Sequence, residues 1–277
     1  MKIFKGTGIY MAVTIFVLVA YSFVLRFVKN RPEKDNAAPV AADSSKVAQK
    51  KTAMIADSSL SVAYLVGQFD PAKDTTFIRT DNEYANSDQM YLKKEAYLAF
   101  IRMFYAAQKD GVKIFIVSAT RNFAYQKGIW EAKWNGSRLV ENKNLASTIK
   151  DPVERALKIL KYSSMPGTSR HHWGTDMDLN SMDPKYFESA NGKKVYEWLS
   201  KNASDYGFCQ PYTAKGTSRP DGYEEEKWHW SYLPLASNCM KQYLNKVKYS
   251  DIAGFKGAET AEKIGVIEKY VKSVNCK

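Results

Sequence analysis

Three histidines occur in the 277 residues, His171, His172 and His229. They lie in two polar-aromatic stretches, Ser169-Arg-His-His-Trp-Gly-Thr-Asp-Met-Asp178 and Glu225-Glu-Lys-Trp-His-Trp230. A catalytic zinc takes three N or O ligands from the protein and keeps a further position open for water. His171 and Asp178 stand seven residues apart across a glycine-containing turn, a spacing that lets a loop end and a strand converge on one ion. His229 would arrive from a neighbouring strand. Glu226, three residues before it, would reach the site without ligating the ion. Zinc lowers the pKa of a bound water toward ~7, and a nearby carboxylate accepts its proton and passes it to a leaving amine. These residue types at these spacings point to hydrolysis at a one-zinc site.

The elements that must hold these groups follow from periodicity and capping. Ser87 to Lys109 reads as an amphipathic helix, with Leu92, Ala96, Ala99, Phe100, Met103, Phe104 and Ala107 at three- and four-residue steps and Gly111 as the stop. Lys113 to Val117 reads as a buried strand. Asn122 caps a following helix that carries Tyr125, Ile129, Trp130 and Trp134. Asp151-Pro152 opens another helix, to about Lys161. A loop from Ser163 to Trp173 leads to a strand at Asp176–Leu179. Lys193–Lys201 is helical, Gly207-Phe208 begins the return to a strand near Trp228–Tyr232, and Pro234 starts a helix through about Val247. Helices alternate with short strands without long crossovers, which predicts an α+β fold with a small, mostly antiparallel sheet flanked by helices.

The stretch Ser169-x-His171-x-x-Gly174-x-x-x-Asp178, followed by Glu226-x-Trp228-His229, resembles the zinc D-alanyl-D-alanine carboxypeptidases of the VanY type. These belong to a superfamily that includes lysostaphin-like endopeptidases and the hedgehog signalling domain. Ser118-x-x-Arg121-x-x-x-x-Gln126 fits as a third motif, and the similarity runs from about Ala63 to Leu235. The resemblance implies that His171, Asp178 and His229 bind one Zn²⁺ and that Glu226 is the acid/base. It implies that Arg121 grips the substrate's terminal carboxylate or polarises its scissile carbonyl, a task suited to a fork of fixed donors. Gln126 and Ser169 would make further polar contacts to the peptide.

The family commonly has Ala where this chain has Asp176. On a strand, a carboxylate two residues before Asp178 points to the same face. Asp176 would then compete for the metal, orient His172 or add negative charge to the site, with Asp178 the better-spaced ligand. His172 reads as a surface histidine or one behind the ligands. Trp173, Trp228 and Trp230 suit a cleft lining and ordinary packing equally. Glu224 and Glu225 read as a solvated loop.

The implied activity is removal of the C-terminal D-Ala from peptidoglycan stem peptides through a zinc-activated water with Glu226 as general base. Alternatives with the same zinc site are an LD-carboxypeptidase and a peptidoglycan endopeptidase. A non-catalytic, zinc-stabilised cell-wall binding module is the alternative from another class, and Glu226 counts against it.

The net charge of +12 suits a polyanionic setting. No Lys/Arg cluster interleaves with aromatics as a nucleic-acid face would, so no nucleic-acid partner is expected. Ile9–Leu25 carries no charge, Gly or Pro, and with its flanks it approaches the roughly 20-residue bilayer span. Residues 1–8 then form a short cytoplasmic segment, 9–28 a transmembrane anchor or signal, and 29–58 a flexible tether. The peptidase domain covers 59–250, and 251–277 is a C-terminal tail with helical potential. The catalytic domain is expected outside the cytoplasmic membrane, on the periplasmic or cell-wall side, or secreted if the N-terminal segment is cleaved. Outside the cytoplasm Cys209 and Cys239 would suit a disulfide with Cys276 left over; buried free thiols fit equally.

Overall fold

Among the described residues the first paired elements are two short antiparallel strands, Phe77–Arg79 (β1) and Tyr91–Lys93 (β2), with Phe77 opposite Lys93 and Arg79 opposite Tyr91. They belong to a computed structural model that describes residues 59–276. β2 runs directly into the helix Lys94–Lys109 (α1), which buries Ala96, Ala99, Phe100, Met103 and Ala107 along one face. Glu95 in its first turn and Lys109 in its last complement the helix dipole. The helix expected from Ser87 therefore starts later. Leu92 is buried between half-buried neighbours, and that local two-residue alternation pairs with β1 instead of extending the helix.

The principal sheet has four strands, Ile116–Ser118 (β3), Asp176–Leu179 (β4), Phe208–Cys209 (β5) and His229–Tyr232 (β6), in the order β3-β4-β6-β5. Every neighbouring pair is antiparallel, as expected for an α+β fold. Helix Phe123–Trp134 (α2) starts where the Asn122 side chain accepts the Tyr125 N–H at 2.9 Å. Helix Pro152–Ile159 (α3) starts where Asp151 accepts the Glu154 N–H at 2.8 Å. Helices Ala190–Asn202 (α4) and Leu233–Lys246 (α5) complete the set of longer helices among the described residues.

All four residues of β4 are buried, and their alternation divides the sheet into two faces. Met177, Leu179 and Trp230 pack with Phe100 and Met103 of α1 and Leu199 of α4. Asp176, Asp178, His229 and Ser231 take the opposite face. A second apolar cluster gathers Trp130, Trp173, Tyr223 and Tyr243.

Residues 251–276 fold back into that second cluster, where Ile252, Phe255, Ile264, Ile267, Val271 and Val274 are buried. Each such burial contributes roughly 1.5–3 kcal/mol. The return ends beside β5, where the Asn275 N–H donates to the Pro211 carbonyl at 2.9 Å. It closes with a Cys209–Cys276 disulfide whose Cα atoms are 5.9 Å apart. This corrects the Cys209–Cys239 pairing: Cys239 is a free thiol buried on α5 within the second cluster. The apolar segment 9–28 and the tether 29–58 lie outside the described residues. Among the described residues no helix is long and apolar enough to cross a membrane.

Candidate metal centre

The β4–β6 register sets Asp178 directly opposite His229. His171 is delivered by a short 3-10 turn, Arg170–Trp173, which ends at Gly174 with φ of 74°. A Cβ at Gly174 would stand 2.3 Å from the Phe77 ring, so both the left-handed backbone and the close approach require glycine there. The chain then turns straight into β4, which is why seven residues suffice between the histidine and the aspartate.

Asp178 Oδ1 lies 3.3 Å from His171 Nε2 and 3.3 Å from His229 Nδ1. One ligand atom from each residue falls within 4.8 Å of the other two, and all three side chains are buried. His171 Nε2 and Asp178 Oδ1 have no hydrogen-bond partner, an expensive state for buried polar atoms unless an ion satisfies them. A spacing of 3.3 Å matches the edge of a tetrahedron whose corners lie about 2.0–2.1 Å from its centre, the usual zinc distance for N and O ligands. The donor set fits a divalent metal ion.

Each imidazole has its outer nitrogen fixed. His171 Nδ1–H donates to the Ala119 carbonyl at 2.8 Å, leaving Nε2 bare toward Asp178. His229 Nε2–H donates to Asp176 Oδ2 at 2.9 Å, leaving Nδ1 toward Asp178. Asp176 also accepts from Arg170 Nε at 2.8 Å, Thr175 Oγ1 at 2.7 Å and Ser231 Oγ at 2.8 Å. Burial alone would raise its pKa, but Arg170 and the His229 bond outweigh that and hold the carboxyl well below the usual range. Asp176 thus does not orient His172 and turns its oxygens away from the ligand cluster. It braces His229, one of the three candidate ligands, from behind, a partner the sequence reading does not include.

His172 is fully buried. Its Nδ1–H donates to the Arg121 carbonyl at 2.5 Å and its Nε2 accepts the Gly167 N–H at 3.0 Å. Burial pushes its pKa down to about 3, so it stays neutral and pins the Arg121 backbone. This replaces the surface reading of that residue. The Arg121 N–H donates to the His171 carbonyl at 3.1 Å, while its guanidinium stands 3.9 Å from Asp178 Oδ2 and its buried Nε is unpartnered.

Glu226 Oε2 lies 3.3 Å from His229 Nδ1. The pair is set by a turn in which the His229 N–H donates to the Glu226 carbonyl at 3.2 Å. Burial raises the Glu226 carboxyl above its ordinary pKa, against the pull of His229. Gln126 Nε2 donates to the Ser164 carbonyl at 2.8 Å, and its Oε1 is unpartnered. It borders a small pocket with His171, Glu226 and His229. Ser169 is buried with an unpartnered hydroxyl, but it is not among the residues lining that pocket or the larger cleft.

Tyr212 and Ser231 carry no signal in the sequence motifs. The Tyr212 ring packs 4.7 Å from the His229 ring, centroid to centroid. Arg170, flanked by Ser169 and His171, was legible only as a charge six residues before Asp176. A cleft of about 630 Å³ opens from Arg121, Asp178 and Glu226 along α2, past Tyr162 and Trp228.

The family model for VanY, D-alanyl-D-alanine carboxypeptidase, matches residues 89–235. The chain is 26% identical over 174 residues to a D-alanyl-D-alanine carboxypeptidase of Enterococcus faecalis (strain ATCC 700802 / V583), covering 60% of this chain and 59% of that protein. It is 29% identical over 203 residues to YodJ of Bacillus subtilis (strain 168), a carboxypeptidase by name, covering 66% and 64%. The chain therefore spans less than two thirds of the length of either relative. Among solved structures, VanYB in complex with D-alanine-D-alanine is similar at a TM-score of 0.46 and 23% identity, over 63% of this chain and 91% of that one. With its family model covering more than half of the sequence, the chain belongs to the VanY D-alanyl-D-alanine carboxypeptidase family.

Proposed function

We propose that this protein is a zinc-dependent D-alanyl-D-alanine carboxypeptidase that removes the terminal D-Ala from peptidoglycan stem peptides. The observation that carries the reading is the convergence of the unpartnered His171 Nε2 and Asp178 Oδ1 on His229 Nδ1, with the Glu226 carboxylate at the same nitrogen. His171, Asp178 and His229 would hold the ion. When bound, zinc supplies Lewis acidity, polarising a carbonyl and lowering the pKa of a water toward ~7.

The chain's own groups account for the rest. Glu226 Oε2 takes the proton of the attacking water and returns it to the leaving amine. Its burial, by raising its pKa, brings it closer to the working pH, where a base that must also act as an acid is most effective. The Arg121 guanidinium, anchored at its backbone by His172 and His171, faces the cleft and binds the substrate's terminal carboxylate. An exopeptidase needs such a cation, and this favours a carboxypeptidase over an endopeptidase or a binding module. Gln126 Oε1, unpartnered beside the ligands, accepts a substrate N–H.

We place the catalytic domain outside the cytoplasmic membrane. The Cys209–Cys276 disulfide supports an oxidising compartment, and the apolar N-terminal segment would supply the anchor. An alkaline phosphatase fused after residue 58 should be active in cells; an inactive fusion would refute this placement. The specificity is tested by incubating the zinc-loaded protein with pentapeptide and tetrapeptide stems side by side and weighing the products. Loss of one alanine from the pentapeptide is expected. Cleavage of the tetrapeptide alone would transfer the assignment to LD-carboxypeptidase.

A further inference from the structure

The cleft beside the metal centre holds more cations than its reaction uses. Arg121, Lys133 and Arg138 all line it. Lys133 lies on the same face of α2 as Tyr125 and Ile129, at four-residue steps, and all three side chains border the cleft. The Lys133 ammonium is partly buried and donates to the hydroxyl of Ser163, a neutral partner. Arg138 is exposed at the cleft margin. Among the described residues, neither Lys133 nor Arg138 has a carboxylate within ion-pair distance, and the Arg138 side chain has no hydrogen bond.

The acidic groups lining the cleft are committed elsewhere. Asp178 is a ligand and Glu226 the base, and Asp70 pairs with Lys73 at 3.7 Å. Burial, then Arg138 and Arg121, push the Lys133 ammonium down to about 8 against the pull of Glu226. These cations are close enough to repel one another, an arrangement that an anionic ligand relieves.

We infer that Lys133 and Arg138 form a second anion subsite, which takes a free carboxylate of the substrate upstream of the one held by Arg121. The preferred substrate is then an acidic stem peptide whose second-position glutamate keeps a free α-carboxylate in addition to the peptide's C-terminus. This rests on the carboxypeptidase reading of the same site and deepens it. The cleft, at about 630 Å³, is larger than a terminal dipeptide needs, and the stripe Tyr125–Ile129–Lys133 of α2 forms one of its borders.

The test uses two synthetic pentapeptides ending in D-Ala-D-Ala, identical except that the α-carboxylate of the second-position glutamate is free in one and amidated in the other. With the zinc-loaded full chain, the free acid should have a kcat/KM about tenfold higher, the size of one charge-assisted hydrogen bond. Lys133→Met with Arg138→Gln should bring the ratio toward one. Arg138→Gln alone, at an exposed position, should lower it partway and covers the case in which the double variant fails to fold. A wild-type ratio of one, or a ratio unchanged in the variants, overturns the subsite. Binding of both peptides to Glu226→Gln protein, read by calorimetry, separates the two levels of the reading. Preferential binding of the free acid without turnover in the wild type would reject the carboxypeptidase and keep the subsite. Turnover without preference would do the reverse.

Discussion

Asp176 Oδ2 and His229 Nε2 are 2.9 Å apart, on the side of the imidazole away from the ligand cluster. The carboxylate fixes the ring's tautomer and rotation, so that Nδ1 faces Asp178 and Glu226 at 3.3 Å. It strengthens the histidine as a donor, as partners behind metal-binding imidazoles do. Arg170, stacked over Trp173 at 4.9 Å and bonded to Asp176, holds the carboxylate in turn.

Replacing Asp176 by Asn keeps the shape and removes the charge. Zinc affinity, measured by competition with a chelator, is expected to fall 10- to 100-fold. Asp176→Ala additionally strands the buried Arg170 cation, and the fold should lose about 3–5 kcal/mol in urea unfolding. Undiminished zinc affinity in Asp176→Asn would show that the carboxylate serves packing alone.

Cys276→Ser, or reduction of the wild type, releases the end of a segment that closes over a sequence separation of 67. The expected loss is about 2–4 kcal/mol of stability in denaturant titration. A midpoint unaffected by reductant would contradict the Cys209–Cys276 pairing, and loss of the reductant effect on substituting Cys239 alone would favour another bond.

Lys133 gives a pH signature with a definite sign. Its pKa falls from 10.5 to about 8, first through burial and then through Arg138 and Arg121. Between those two values the unfolded chain holds a proton the folded one has released, so this group's contribution to stability rises with pH across that window. Below pH 8 both states are protonated and the burial cost is full. Urea unfolding of the chelated protein at about pH 7.5 and about pH 10 should show the wild type gaining on Lys133→Met. A constant difference between the two proteins would contradict the shift.

Much of this architecture was legible locally. Asn122 and Asp151 cap helices where their side chains and spacing say they should, and Asp176–Leu179 forms a strand as its pattern implies. The three metal-binding candidates meet because one register, Asp178 opposite His229, does most of the positioning. What stayed hidden depends on distant pairing. Tyr91–Lys93 carries helical periodicity but finds β1 as its partner. Cys276 meets Cys209 only because residues 251–276 return to the core. Asp176 was visible as an anomaly in the motif, but its pairing with His229 depends on the β4–β6 register and on which side of the ring faces it, which the motif does not carry.

The most direct test compares wild type and Glu226→Gln, each brought to one zinc per chain, for release of D-alanine from a pentapeptide stem. The wild type should release one alanine per peptide, and the variant should keep its zinc while kcat falls by about 10²- to 10⁴-fold, the usual contribution of a general base. A variant as active as the wild type, or a zinc-loaded wild type that releases no alanine, would contradict a hydrolase built on His171, Asp178, His229 and Glu226.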